Sequence, residues 1–174
     1  MGLQYNTGTD YFEYYRLFKT GNVGLYISKK EYGFVAIVNL IKHFKLDPQF
    51  GFIFISTIQV FFFIKFLRNM SFKRIDYFLL VYFCCSTAFI NQMNAIRQFT
   101  AMNIFIYSLF YLYKRKYIAY VILILLASLF HLSAIFLLFF LPITSIFTRI
   151  TQKINYIILI LGIFICFIGI DSVV

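Results

Sequence analysis

Four ionisable residues carry most of the chemistry this chain can offer: Asp10, Glu31, Arg97 and His131. Arg97 sits at the start of a long apolar run, where a guanidinium is costly to keep. Insertion scales put Arg at a helix centre at about 2.5–3.5 kcal/mol, and less near the interface. A cation retained there is a functional candidate. His131 lies in the longest apolar run, with Ala127, Ser128 and Ala134 around it at helical spacing. Imidazole there serves either as a buried neutral hydrogen-bonding group or in proton transfer and substrate contact. Asp10 and Glu31 bracket a polar N-terminal region and, taken alone, are ordinary loop acids, the first of them in a turn at Gly8-Thr9-Asp10. Asn91, Asn94 and Gln98 recur at i, i+3 and i+7, with Thr87 and Ala101 extending the stripe, so on one helix they share a face. Such amides line helix–helix contacts or, beside Arg97, a polar path for a substrate. No metal cluster, glycine-rich phosphate loop or Ser/His/Asp arrangement is legible, and no cofactor is expected. Cys84, Cys85 and Cys166 lie inside apolar runs as small packing residues.

The elements that must position these groups belong to a membrane protein. The 174 residues are 62% hydrophobic and 13% charged, with a mean hydropathy of +0.85; a soluble domain is about half apolar and a quarter charged. The net charge of +10 comes from basic residues between apolar runs: Lys65, Arg68, Lys73 and Arg74 in one cluster, Lys114, Arg115 and Lys116 in another. That is the positive-inside pattern rather than a nucleic-acid footprint. The reading is an all-α, polytopic transmembrane helix bundle. Apolar runs over 49–67, 75–90, 99–113, 117–141 and 154–170 supply about five spans, the third begun earlier by residues 94–98. Strands are excluded because an open sheet edge is not tolerated in lipid. Residues 32–44 form a shorter apolar segment, read as an interfacial or re-entrant helix. Residues 1–48 are then an outer loop with that short helix, and residues 49–174 the bundle. Both basic clusters should be cytoplasmic, which places 91–97 and the turn after Leu141 on the outer face.

Four short stretches resemble a known family. Tyr5-Asn6-Thr7-Gly8-Thr9-Asp10-Tyr11, with Tyr14 following, looks like its Gly-x-Asp-Tyr signature. Glu31-Tyr32-Gly33-Phe34 looks like its Glu-Pro-Gly-Phe element. Ala95-Ile96-Arg97-Gln98-Phe99-Thr100-Ala101 looks like its Arg-Gln-x-x-Ala helix, and Phe130-His131-Leu132-Ser133-Ala134 its Phe-His-x-Ser-Ala helix. In this order they resemble the EpsG family of bacterial exopolysaccharide and capsule biosynthesis proteins, which are Wzy-like polysaccharide polymerases. The chain departs from the pattern in Gln4, where a basic residue is usual, and in Tyr32, where Pro is usual. Family members carry further spans on both sides, so an internal piece of the fold is expected.

The resemblance implies a multi-pass protein of the bacterial inner membrane that polymerises polyprenyl-pyrophosphate-linked oligosaccharide, as in O-antigen or capsule assembly, alongside membrane lipid and other polysaccharide-assembly proteins. It implies catalytic roles for Asp10, Glu31, Arg97 and His131, and substrate contacts for Tyr11, Tyr14, Asn94 and Gln98. Arg97 would hold the pyrophosphate, Asp10 or Glu31 would accept the hydroxyl proton, and His131 would orient or assist. A transporter of lipid-linked sugars, or a non-catalytic subunit or fragment, are the competing readings.

Overall fold

The computed structural model describes residues 2–69, 75–85 and 87–142, and among them every regular element is helical. The chain opens with α1 (Tyr11–Thr20), α2 (Gly24–Ser28) and α3 (Tyr32–His43). In α1, Tyr11, Tyr14, Leu17 and Phe18 recur at helical spacing and are all buried, the stripe a core-facing helix needs. Gly21 stops the helix. Its φ of 69° is left-handed, and its N–H donates to the Leu17 carbonyl at 2.8 Å, a terminus that glycine adopts without strain. In α3 the buried stripe is Phe34, Val35, Val38 and Ile41. Twelve residues of helix rise roughly 18 Å, too short to cross a ~30 Å hydrocarbon core.

The next helix, α4 (Gln49–Asn69), has 21 residues, with a mean hydropathy of 2.0 in its most apolar stretch, and is the one described helix long and apolar enough to cross a membrane. Only 28% of that stretch is buried. Phe50, Phe54, Phe61 and Ile64 point outward instead, unlike the core helix of a soluble domain.

Of the other expected spans, 75–90 and 117–141 are interrupted, whereas 99–113 lies within one unbroken helix. Residues 75–90 divide into α5 (Ile75–Leu80), a π-helical stretch (Val81–Cys85) and the start of α6 (Thr87–Asn94). Ala95, at φ −85° and ψ 56°, breaks the helix before α7 (Ile96–Tyr113) begins. The longest apolar run divides too: α8 (Tyr117–Ser128) is followed by a turn and a 3-10 helix over Leu132–Phe139. The Tyr120 hydroxyl donates to the Leu137 carbonyl at 2.6 Å. A straight helix would hold those residues roughly 25 Å apart, so the 3-10 segment turns back alongside α8. The run expected to be one span is therefore broken into a helical hairpin, in which Leu137 comes back beside Tyr120. His131 lies at the tip of the hairpin, not deep in a span. The expected span over 154–170 lies outside the described residues, as do Lys73 and Arg74.

The hairpin turns where it does because another helix end meets it. The first N–H groups of a helix have no partner within it. In α3, those of Gly33 and Phe34 donate to the Leu129 carbonyl at 2.9 and 3.4 Å. A Cβ on Gly33 would lie 3.0 Å from the Leu129 Cβ and 3.2 Å from its carbonyl oxygen, so a larger residue would press the two helix ends apart. The positive end of α3 thus meets the negative end of α8, a favourable pairing of helix dipoles.

Helices α4 and α7 run parallel: Gln59 bonds at the start of α7, and Phe62 packs on Tyr107 with ring centroids 5.7 Å apart. The Arg68 end of α4 and the Lys114–Lys116 turn therefore lie at the same end, and α8 returns from it. At the other end sits an aromatic core. Tyr11 stacks on Phe52 at 5.2 Å, Phe18 meets Phe52 at 5.3 Å, and Tyr26 meets Phe34 at 5.1 Å.

Gly33→Ala is expected to lower stability by about 1–3 kcal/mol by forcing the two helix ends apart. Thermal unfolding in detergent checks this. Gly24→Ala, where an added Cβ meets nothing nearer than 3.9 Å, should leave the melting temperature unchanged.

Candidate active site

Glu31 precedes α3 and makes no side-chain cap to it. Its backbone N–H donates to the Tyr26 carbonyl at 3.0 Å, which fixes the residue while its carboxylate turns inward. Only 2% of Glu31 is exposed. A carboxylate buried to that degree must be paired, and here each oxygen has its own partner. Oε2 accepts from Arg97 Nη1, and Oε1 lies 3.1 Å from His131 Nδ1.

Each partner arrives at a helix interruption. Arg97 is the second residue of α7, just past the break at Ala95, and His131 follows the turn that ends α8. Arg97 Nε donates to the Tyr14 hydroxyl at 3.4 Å. The guanidinium carbon stands 4.7 Å from the Tyr26 ring centroid and 5.6 Å from that of Phe34, within cation–π range. Among the described residues no hydrogen bond reaches Nη2 of Arg97. Burial pushes the phenols of Tyr14 and Tyr26 above the usual tyrosine value, and Arg97 beside them draws both partly back. Both therefore stay neutral hydroxyls near pH 7.

The buried carboxylate is flanked by two partly open groups: the Arg97 side chain is 18% exposed and that of His131 32%. An ionised carboxylate only accepts hydrogen bonds. Facing Glu31, the Nδ1 of His131 must then carry the hydrogen, and a neutral ring keeps its lone pair on Nε2. A carboxylate fixing an imidazole tautomer in this way is the arrangement that general-base histidines use.

The eight residues singled out from sequence separate into groups. Glu31, Arg97, His131 and Tyr14 come together. Tyr11 does not join them: its ring is part of the aromatic core, stacked on Phe52. The Asp10 carboxylate accepts from Thr9 Oγ1 at 3.2 Å and, among the described residues, forms no ion pair with Arg97 or His131. It stays within electrostatic reach of Tyr14 and Tyr26, whose phenols it helps to raise. Asn94 abuts Gly8, and its buried Oδ1 has no hydrogen-bond partner in the described structure. Gln98 is exposed. The expected Asn91–Asn94–Gln98 face does not form, because the break at Ala95 takes Gln98 out of register with the other two.

Sequence reasoning missed Tyr26 and Phe34, the aromatic faces that shelter the guanidinium, and the buried amides of Gln59 and Gln92. An arginine in an apolar helix does call for aromatic faces, but a chain with 25 Phe and 14 Tyr offers no way to choose among them. No group of three potential metal ligands is found among the described residues.

The sequence model of the EpsG family matches residues 1–174, and the chain belongs to that family, whose members are membrane-associated and concerned with exopolysaccharide. Neither a curated protein nor a solved structure matches the chain.

Arg97→Ala should cost about 3–5 kcal/mol of stability, because Glu31 stays buried without its main counter-charge. Adding Glu31→Gln should recover most of that loss. The four proteins of this cycle, compared by thermal unfolding in detergent, give the coupling directly; additive effects would mean that the two side chains do not depend on each other.

Proposed function

We propose that this member of the EpsG family is a polymerase that joins polyprenyl-pyrophosphate-linked oligosaccharide repeats, and that Arg97, Glu31 and His131 are its reaction centre. The observation that carries the reading is one buried carboxylate holding a guanidinium and an imidazole together. In the reaction, a sugar hydroxyl of one lipid-linked repeat attacks the anomeric carbon of another. A glycosidic C–O bond forms, the bond from that carbon to the phosphate oxygen breaks, and polyprenyl pyrophosphate leaves with the electron pair. His131 Nε2 takes the hydroxyl proton. Arg97, whose Nη2 has no hydrogen bond among the described residues, meets the negative charge gathering on the leaving pyrophosphate, the position where electrostatic stabilisation contributes most. Glu31, already committed to Arg97, orients His131 and balances the imidazolium as it forms. This moves the base from the carboxylates to the histidine and leaves Asp10 at the rim of the site.

The protein is read as multi-pass in the bacterial inner membrane, contacting lipid and other polysaccharide-assembly proteins. With the Lys114–Lys116 turn cytoplasmic, α7 rises roughly 24 Å from Tyr113 back to Arg97. That carries the centre to the outer face, where the N-terminal helices cover it. The helix breaks at Ala95 and at residues 129–131 favour a second reading, a transporter of lipid-linked sugars, since transporters place broken helices around their substrate.

Arg97→Lys keeps the charge and loses the fork, and should lower polymerisation about 100-fold. His131→Gln should lower it about 100- to 10,000-fold, the usual contribution of a general base. Lipid-linked single repeats should accumulate on the outer leaflet in both cases. Polymer of normal amount and length from both variants would contradict the assignment, and repeats held on the inner leaflet would favour the transporter.

A further inference from the structure

The start of α7 is held by a chain of buried amides outside the reaction centre. Gln59 on α4 is 1% exposed, Gln92 on α6 is 2% exposed and Thr100 on α7 is 0% exposed. Gln59 Nε2 donates to the Ile96 carbonyl at 2.9 Å and to Thr100 Oγ1 at 3.1 Å. Thr100 Oγ1 itself donates to the Ile96 carbonyl at 2.7 Å. Gln92 Nε2 donates to Gln59 Oε1 at 3.2 Å, and the Tyr82 hydroxyl donates to Gln92 Oε1. The hydrogen bonds thus run from the π-helical stretch through α6 and α4 to the first turn of α7.

The place where this chain ends gives it a role. The Ile96 carbonyl belongs to the peptide that enters Arg97, and Thr100 lies one turn further on. Directly before Ile96, Ala95 has left helical geometry, so continuity with α6 cannot fix the direction in which α7 begins. Arg97 needs a fixed start, because it reaches back to Glu31 and Tyr14 from the second position of the helix. Packing alone would not require an amide here: Leu fills a similar volume with no buried polar group to satisfy.

We infer that Gln59 is a positioning residue for Arg97, fixing the peptide before it so that the guanidinium keeps its aim at the phosphate of a polyprenyl pyrophosphate. This rests on the polymerase reading, and the test separates the two. The full chain in nanodiscs is titrated with farnesyl pyrophosphate, and both the affinity and the number of binding sites are read. Gln59→Leu should weaken binding about tenfold, a change equal to one well-placed hydrogen bond, with the number of sites unchanged. Thr100→Val removes a hydroxyl from the same contact at constant volume and should weaken binding about threefold; it also decides the matter if Gln59→Leu does not fold. In an Arg97→Lys background the Gln59→Leu effect should shrink to nearly nothing, because the fork it aims is gone. Unchanged affinity in both Gln59→Leu and Thr100→Val, or a Gln59→Leu effect of the same size with Lys at position 97, would overturn the inference. Wild-type affinity in Arg97→Lys itself would instead overturn the polymerase reading.

Discussion

A carboxylate with almost no access to water is the constraint on which the rest of this structure depends. Glu31 cannot stay ionised and buried unless donors come to both of its oxygens. Its donors come from positions 66 and 100 residues further along the chain, and each arrives at a point where a helix is interrupted. An unbroken helix through residue 95 would aim Arg97 elsewhere. A straight continuation of α8 would carry His131 away along the helix axis. The breaks are therefore what the pairing requires, and Gly33 permits the second by letting the start of α3 meet the Leu129 carbonyl.

This accounts for what the sequence revealed and what it concealed. Charged and imidazole side chains in apolar runs are conspicuous, so Arg97 and His131 are legible one by one, whereas Glu31, at the edge of a polar region, stands out only through the resemblance of Glu31-Tyr32-Gly33-Phe34 to a family element. Helices α3 and α4 are legible from apolar runs bounded by polar residues. The breaks are not. Residues 117–141 remain apolar on both sides of the turn, and hydrophobicity that keeps its sign cannot report that the chain has reversed. What reverses it is a pair of backbone hydrogen bonds from α3, a tertiary contact with no local signature. The same limit undid the Asn91–Asn94–Gln98 face, because a periodic stripe presumes one continuous helix. The amides that are buried, Gln59 and Gln92, lie on separate helices, and no spacing rule connects them. Tyr11 shows the reverse case: a residue within a recognisable motif whose ring serves the aromatic core.

The geometry also changes how the work is divided among the charged groups. Both oxygens of the Glu31 carboxylate are already engaged, one by Arg97 and one by His131. The same carboxylate is well placed to hold an imidazole in one tautomer. In the proposed polymerase, Glu31 would be the organiser, His131 the base and Arg97 the anion partner. Tyr14, Tyr26 and Phe34 surround the guanidinium with surfaces that favour a cation without neutralising it.

The proposed reaction centre has to open on the outer face of the membrane. The parallel course of α4 and α7 puts Arg68 and the Lys114–Lys116 turn together at one end, with Glu31, Arg97 and His131 towards the other. The direct measurement is thiol labelling in intact cells, with Cys84, Cys85 and Cys166 replaced and a single cysteine introduced by His131→Cys or Lys116→Cys. The account predicts that an impermeant maleimide reaches position 131 from outside, and position 116 only after the membrane is permeabilised. Labelling of position 116 from outside, with position 131 protected until permeabilisation, would contradict it.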